Sequence, residues 1–398
     1  MSSLKSVLNK ECGIVFLIFF LFFIELFATI YLEYSLSTST RLVGGYKILF
    51  LFTIFFVVKL KKLDKSSFVV LICLASLFVI NQFLLNPILY KTIDVSFLKG
   101  SVYYAYRFLY IFIFILIFKT TTNYVLIAKK VLKLIEYLLF FNAFLILIGF
   151  VTDLDLLASY ARSPRFGSDG VFNKVNETSY LYIIYIISLY YKYIKKRKGL
   201  GKLLFIIIVS FFLGTKTVIL FLVLILGVHI FLVSSINKII KGFVATVAIV
   251  GAFLFEEIAR FYFKLIPFWN NLLDQYSITS LLFSKRDYLL KDNLEYVGLN
   301  WDFINYWIGG AFYTEDFRIT QMDGPDLLLF FGVVGVLLYL WLFYRHYLVA
   351  GNLIYNSLIM AVLICGLLSG GFFLSVMAMI YLFLLSTMIG EKNIYFNN

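Results

Sequence analysis

The sequence predicts an all-α, polytopic membrane protein, and three observations support that prediction: overall hydropathy, the number of apolar segments and the placement of charge. Of the 398 residues, 62% are hydrophobic, and the mean hydropathy is +0.95, whereas only about half of a soluble domain is apolar. The net charge of +13 comes from basic residues in short loops between apolar segments. That pattern indicates membrane topology, so we expect membrane lipid around the chain and no nucleic-acid partner.

Apolar segments of spanning length number about twelve, since a span needs roughly 20 residues. They lie at about 13–33, 42–60, 67–86, 99–118, 132–151, 178–193, 199–214, 217–235, 242–256, 326–343, 353–369 and 372–389. The pair on either side of Gly214–Thr217 could also be one broken helix. However, the basic stretch Lys192–Lys198 and the later residues Lys238 and Lys241 all belong inside by the positive-inside rule. The intervening chain must then cross twice, and both termini are predicted to be cytoplasmic.

Two outer loops stand out in this topology, at 152–177 and, before the tenth span, at 257–325. The longer loop contains Trp269, Trp301 and Trp307, and its acidic residues outnumber its basic ones, as expected for a loop that is not retained inside. No internal repeat divides the chain. Residues 1–398 are therefore predicted to form a single membrane domain with an elaborated outer face.

The sequence indicates neither a metal site nor a cofactor. Cys12, Cys73 and Cys365 fall inside or beside apolar spans, so we expect no metal-ligand cluster. His229 and His346 lie toward the inner face, so neither is well placed as a base for chemistry at the outer face. The inner loops are too short for a nucleotide-binding domain and contain no Gly-rich phosphate loop. Chemistry is therefore expected at the outer face or within the membrane.

Two carboxylates at the start of the tenth span are the first candidate site residues, in TQMDGPDLLLFFGVVG (Thr320–Gly335). Charged groups at the edge of a membrane helix are costly unless they have a function or a partner. Asp323 and Asp326 are three residues apart and share one face if the helix starts early. Asp326 could equally cap the free N–H groups of the helix start, whereas Asp323 precedes the Gly–Pro step and is harder to explain as a cap.

The first outer loop supplies two arginines, Arg162 and Arg165, before Asn176 and Glu177 open the sixth span. Arginine can bind phosphate oxygens in a bidentate manner. Both arginines, together with Asn176, are therefore candidates for substrate binding. The alternative is an interfacial pair of arginines that anchors the loop to lipid headgroups.

Three further cations are candidates. Lys216 lies at the turn between the seventh and eighth spans, where it could bind phosphate or extend toward lipid headgroups. Arg286 leads an amphipathic run in the long loop, where it could bind substrate or pair with Asp287. Arg107 lies about 12 Å below the outer end of the fourth span, at 1.5 Å per residue, where it could pair with an acid or bind a lipid-linked pyrophosphate.

The aromatic residues of the long loop are also candidates for substrate binding. Trp301 and Trp307 could stack on the faces of sugar rings, although packing within the loop or at the membrane interface is the alternative for each.

The order and spacing of these motifs resemble those of the O-antigen polymerase (Wzy) family over about residues 160–390. The matching motifs are Arg165, Gly167 and Asn176; Thr215–Lys216; Arg286 and Gly309–Gly310; QMDGPDLLLFFGVVG (Gln321–Gly335); and SGGFFLSVMAMIYLFLL (Ser369–Leu385). Residues 1–150 match the family only in hydropathy. Gln321 stands where many relatives have an acid, and the histidine that the related O-antigen ligases carry near this place is absent.

The resemblance implies a GT-C-like fold and a glycosyltransferase of the bacterial inner membrane that acts in lipopolysaccharide biosynthesis. Its substrate would be an oligosaccharide repeat unit on undecaprenyl pyrophosphate. Two such units would be joined at the periplasmic face, undecaprenyl pyrophosphate would be released, and a separate chain-length regulator would be a partner. No cofactor is implied.

In that reaction, Asp323, and after it Asp326, is the expected proton acceptor, and Arg286 is expected to stabilise the leaving pyrophosphate. Arg165, Lys216 and Arg107 are further cations for that role. The alternatives are a lipid-linked oligosaccharide flippase and an O-antigen ligase. The single long outer loop argues against the first, and the missing histidine argues against the second.

Overall fold

A computed structural model describes residues 11–24, 39–57, 63–85, 95–159, 167–172, 174–264, 270–271, 273, 275–310 and 319–391. Helices form almost all of these parts, and β-strands are absent from them apart from an isolated antiparallel bridge between Ala158 and Ser168. The predicted all-α class is therefore confirmed for the described residues.

The helices follow the predicted apolar segments, each of which overlaps at least one of them. In chain order they are α1 (Glu11–Ile24), α2 (Ser39–Val57), α3 (Lys65–Val79, continued by a π-helical turn, Ile80–Leu85), α4 (Val95–Lys119), α5 (Tyr124–Thr152), α6 (Val175–Lys196), α7 (Leu200–Phe211), α8 (Lys216–Val228, continued by a π-helical turn, His229–Val233), α9 (Lys238–Phe253), α10 (Phe255–Lys264), α11 (Ile278–Leu282), α12 (Arg286–Asn300), α13 (Phe303–Ile308), α14 (Asp323–Tyr347), α15 (Leu353–Ser369) and α16 (Val376–Gly390). Helices α11 to α13 and most of α10 belong to the long loop predicted at 257–325, which is thus mostly helical in its described part.

Five of the described helices are long and apolar enough to cross a membrane, which is consistent with a membrane-embedded protein. They lie at Lys65–Phe83, Lys99–Lys119, Tyr124–Thr152, Lys216–Val233 and Asp323–Tyr347. Several of the others, including α15 and α16, are apolar but shorter. The count of twelve spans stays a prediction, as does the cytoplasmic position of the termini, which lie outside the described residues.

Two helices form the centre of the bundle. Every residue of α6 from Glu177 to Tyr191 is buried, and α16 is buried over nearly its whole length. These helices pack against each other, while α4, α5 and α14 also contact α16, and α7, α8 and α15 contact α6. A helix that is covered on all faces belongs in the core of a bundle, and these six neighbouring helices surround the central pair.

Helix α14 is interrupted at Gly332, which has φ 64° and ψ −175°. The left-handed φ favours glycine, and a Cβ at this position would also overlap the backbone nitrogens of Ile308 and Gly309. The interruption therefore makes room for the end of α13, which packs directly against α14.

Candidate functional site

A cleft of about 460 Å³ lies where the starts of α6, α12 and α14 meet the turn between α15 and α16. Helix α4 closes one side of it. The lining residues are Arg107, Lys174, Val175, Asn176, Glu177, Ser284, Arg286, Gln321, Gly371 and Ser375. Three of the predicted site residues, Arg107, Asn176 and Arg286, are thus brought together although they are far apart in the sequence.

Basic side chains dominate the charge of the cleft. Arg107, Lys174 and Arg286 line it, against one acidic residue, Glu177. A terminal nitrogen of Arg107 donates a 3.1 Å hydrogen bond to the carbonyl oxygen of Leu374. The Arg107 guanidinium carbon also lies 5.6 Å from the ring centroid of Tyr103, a cation–π distance. These contacts hold the Arg107 guanidinium at the cleft, where it brings a positive charge close to the Glu177 carboxylate.

Glu177 supplies the carboxylate of the cleft. Its Oε1 accepts a 2.6 Å hydrogen bond from the Ser375 hydroxyl, and its Oε2 lies 4.0 Å from the ammonium nitrogen of Lys174. Ser375 is also the N-cap of α16, where its hydroxyl accepts from the N–H of Ala378. Glu177 is therefore held in one orientation at the point where the two central helices begin.

Asp323 lies behind the wall of the cleft and is not among its lining residues. Its side chain is fully buried. The Oδ1 accepts a 2.6 Å hydrogen bond from the N–H of Gly371, and the Oδ2 accepts a 2.7 Å bond from the N–H of Phe373. Hydrogen bonds from N–H groups to a carboxylate are among the strong ones, so Asp323 fixes the α15–α16 turn against α14.

Asp326 is also buried and holds a different segment. Its Oδ1 accepts from both the backbone N–H and the hydroxyl of Thr320, each at 2.7 Å. Its Oδ2 is buried without a hydrogen-bond partner among the described residues. The cap considered for Asp326 does not form, because its Oδ1 accepts from Thr320, which lies before α14.

Lys216 lies beside the cleft rather than in its lining. Its ammonium group donates to the carbonyl oxygen of Leu281 and lies 3.3 Å from the Ser284 hydroxyl. Ser284 does line the cleft. Lys216 thus joins the start of α8 to the segment that carries Arg286, instead of extending toward lipid headgroups.

The loop predicted at 152–177 is described in part. Arg162 and Arg165 lie outside the described residues. Next to them, the N–H of Ser168 donates a 2.7 Å bond to Phe212, and the Asn142 side chain bonds the backbone of Asp169 and Val171. Burial raises the pKa of Asp169 to about 7. The loop therefore packs into the bundle where it leads to α6.

The two tryptophans do not line the cleft. Trp301 packs edge-on against Tyr306, with ring centroids 5.3 Å apart, and Trp307 lies 6.1 Å from Phe303 in the same edge-on manner. Both contacts fit packing within the long loop better than stacking on a sugar in the cleft.

Sequence reasoning missed Lys174, Glu177 and Ser375 as site residues. Glu177 had a visible signal, because an acid precedes a long apolar run there just as at Asp323. What distinguishes the two acids is their partners, and Ser375 is 198 positions from Glu177 in the sequence. Such a contact carries no local sequence signal.

The chemistry that this arrangement permits is anion binding and proton transfer. Clustered cations at the end of apolar helices suit a phosphate group attached to a lipid, and a fixed carboxylate can accept a proton. No group of three or more potential metal ligands occurs among the described residues. Comparison with known proteins gives no match to a family model, a curated protein or a solved structure.

Proposed function

We propose that this protein is an O-antigen polymerase, which joins undecaprenyl-pyrophosphate-linked oligosaccharide repeat units at the periplasmic face of the bacterial inner membrane. The observation that carries the proposal is the cleft in which Arg107, Lys174 and Arg286 lie with Glu177 at the ends of apolar helices. A lipid-linked sugar pyrophosphate is complementary to this cleft, because its apolar chain suits the apolar helices, its anionic pyrophosphate suits the cations and its hydroxyl groups suit the carboxylate.

The cations of the cleft would stabilise the leaving group. When the sugar–pyrophosphate bond breaks, negative charge grows on the pyrophosphate oxygens, and preorganised cations at a water-poor site stabilise such charge effectively. Arg107 and Arg286 would hold the pyrophosphate oxygens, with Lys174 and the nearby Lys216 adding to the positive potential. Arg162 and Arg165 are proposed to extend the same site.

Glu177 is the proton acceptor that best fits this geometry, in place of Asp323. The hydroxyl oxygen of one repeat unit forms a bond to the anomeric carbon of the other unit, and its proton passes to Glu177. The bond from that carbon to the pyrophosphate oxygen breaks, and its electron pair leaves with undecaprenyl pyrophosphate. Asp323 and Asp326 would then position the walls of the cleft, while Asn176 would orient a sugar hydroxyl.

The proposal is tested by deleting the gene in its host and separating the lipopolysaccharide on a gel. We expect core that carries a single repeat unit with no ladder, and a full ladder when the gene is restored on a plasmid. Core without any repeat unit would contradict the proposal. In that case, polymer that accumulates on lipid outside the membrane would indicate a ligase, and single units trapped inside would indicate a flippase.

A separate chain-length regulator is a proposed partner, as the family resemblance implies. Deletion of such a regulator in the same host should broaden the distribution of ladder bands without abolishing them. A loss of all bands would instead mean that the partner is required for joining the units.

A further inference from the structure

Helix α13 and the following Gly309–Gly310 turn pack into the side of α14, not above its end. The N–H of Gly310 donates a 3.1 Å hydrogen bond to the carbonyl oxygen of Leu329. A Cβ at Gly309 would lie 2.6 Å from the carbonyl carbon of Phe330. The two backbones therefore touch directly, which places the turn beside Leu329–Gly332.

This contact lies within the apolar part of α14. At a rise of 1.5 Å per residue, Leu329 is about 9 Å and Gly332 about 13 Å along the helix axis from Asp323. The uninterrupted apolar run starts at Leu327, so the contact begins after the helix has already become apolar. A loop that stayed outside the membrane would pack against the polar start of α14.

The backbone groups at this contact are supplied with partners from within the protein. The interruption at Gly332 deprives the preceding carbonyl groups of their partners four residues ahead. The N–H of Gly310 donates to the carbonyl oxygen of Leu329. The side-chain amide of the buried Asn81 donates to the carbonyl oxygen of Phe330 at 2.7 Å and to that of Ile308 at 3.0 Å. Irregular backbone is tolerated at membrane depth only when its polar groups are satisfied in this way.

The outer surface of α13 is apolar and exposed. Phe303 is 76%, Ile304 53% and Trp307 46% exposed. On α14, against which α13 packs, Leu328 is 40% and Val333 39% exposed. Exposed apolar side chains on a segment that packs against the side of a membrane-spanning helix fit the acyl chains of a bilayer.

From these four observations we propose that α13 and the Gly309–Gly310 turn form a re-entrant membrane segment, in which Phe303, Ile304 and Trp307 contact the acyl chains of the bilayer. The long loop predicted at 257–325 is then outside the membrane only in part. This inference is independent of the proposed function, because it concerns where the segment lies and not what the cleft binds.

Lipid contact can be measured through the fluorescence of single tryptophans. The variant that retains only Trp307 is reconstituted in phosphatidylcholine vesicles with bromine atoms on the acyl chains, which quench nearby indole rings. The positive control retains only Trp341, on α14, and the aqueous control places the single tryptophan on the exposed face of α12. The substitutions required are Trp269→Phe, Trp301→Phe, Trp307→Phe and Trp341→Phe in the appropriate combinations, with Glu295→Trp for the aqueous control.

We expect brominated lipid to reduce Trp307 fluorescence as strongly as that of Trp341, while iodide in the buffer has little effect on either. Position 295 should show the opposite behaviour. Quenching of Trp307 by iodide but not by brominated lipid would overturn the proposal.

Thiol labelling provides a second measurement that leaves the tryptophans in place. In a chain with Cys12→Ser, Cys73→Ser and Cys365→Ala, the exposed position 303 is changed by Phe303→Cys, and Glu295→Cys serves as the control. A membrane-impermeant maleimide should label position 295 rapidly in intact vesicles, and position 303 only after detergent is added. Equal labelling of both positions in intact vesicles would contradict the re-entrant segment.

Discussion

Charged residues lie near both ends of α14, but they have different partners at the two ends. At the C-terminal end, Arg345 donates two hydrogen bonds to the Asp64 carboxylate, at 2.9 and 3.2 Å. At the N-terminal end, Arg107 donates to a backbone carbonyl group and Glu177 accepts from a serine hydroxyl, and both line a cleft. At the C-terminal end the opposite charges pair with each other, whereas the cleft at the N-terminal end has an excess of positive charge in its lining, from Arg107, Lys174 and Arg286 against Glu177.

Glu177→Gln should have the largest effect, because it removes the proposed proton acceptor while keeping a side chain that can accept from Ser375. General-base catalysis contributes about 100-fold or more, so we expect the lipopolysaccharide ladder to be lost at a normal protein level. Glu295→Gln, on the exposed face of α12, is the matched control and should leave the ladder unchanged. A normal ladder from Glu177→Gln would remove Glu177 from the chemistry.

Asp323→Asn should act on stability first. Both oxygens of Asp323 accept hydrogen bonds from backbone N–H groups. In asparagine one of these oxygens is replaced by an NH2 group, which is itself a donor and cannot accept. The lost hydrogen bond should lower the free energy of unfolding by about 1–3 kcal/mol. Asp326→Asn is the matched control, because both bonds to Thr320 use a single oxygen that asparagine retains. Thermal unfolding of the detergent-purified variants should show a clearly lower midpoint for Asp323→Asn only. A lost ladder at unchanged stability would instead support Asp323 as the proton acceptor.

Arg286→Lys should have an intermediate effect on activity. Lysine keeps the charge but loses the planar fork that binds two phosphate oxygens, and we expect the rate of polymerisation to fall about tenfold, equivalent to about 1.4 kcal/mol. Arg345→Lys makes the same change at the opposite end of α14 and should leave the rate unchanged. Equal rates for both variants would show that the fork of Arg286 is not used.

Asp64→Asn should have the smallest effect, below about 1 kcal/mol, because the ion pair with Arg345 is partly exposed to solvent. Although burial raises the pKa of Asp64, hydrogen bonds from Arg345, Ser66 and Ser67 lower it well below its usual range. Its stabilising contribution is therefore complete above the unfolded-state pKa of about 4 and is lost as the pH falls toward the folded-state value. The difference in unfolding midpoint between the native chain and Asp64→Asn should accordingly shrink on acidification, whereas a difference that grows would contradict the pair.

Hydropathy alone was sufficient to locate most of the helical architecture. The long apolar runs that became α4, α5 and α14 have spanning length and no strand-like alternation, so their helical state follows from local sequence. The interruption of α14 could not be predicted in the same way. Gly332 lies in an apolar run that also contains Gly335, and nothing local distinguishes the glycine that breaks the helix from the one that continues it. The difference comes from Gly309, which packs against Gly332 from another part of the chain.

The candidate site was predictable in its residue types and much less so in its arrangement. Arg107, Asn176 and Arg286 were singled out as polar groups near apolar spans, and they do line one cleft. The choice among the acids depended on distant contacts. The carboxylate of Asp323 accepts hydrogen bonds from the backbone N–H groups of Gly371 and Phe373. The carboxylate of Glu177 faces the cleft and accepts from Ser375. In both cases the partners are far from the acid in the sequence.

The interruption at Gly332 also has a mechanical consequence. It divides α14 into a short N-terminal part, residues 323–331, and a longer C-terminal part. The N-terminal part packs against α13 on one side and is joined through Asp323 to the α15–α16 turn on the other. A tilt of this part about Gly332 would therefore displace the wall of the cleft and α13 together.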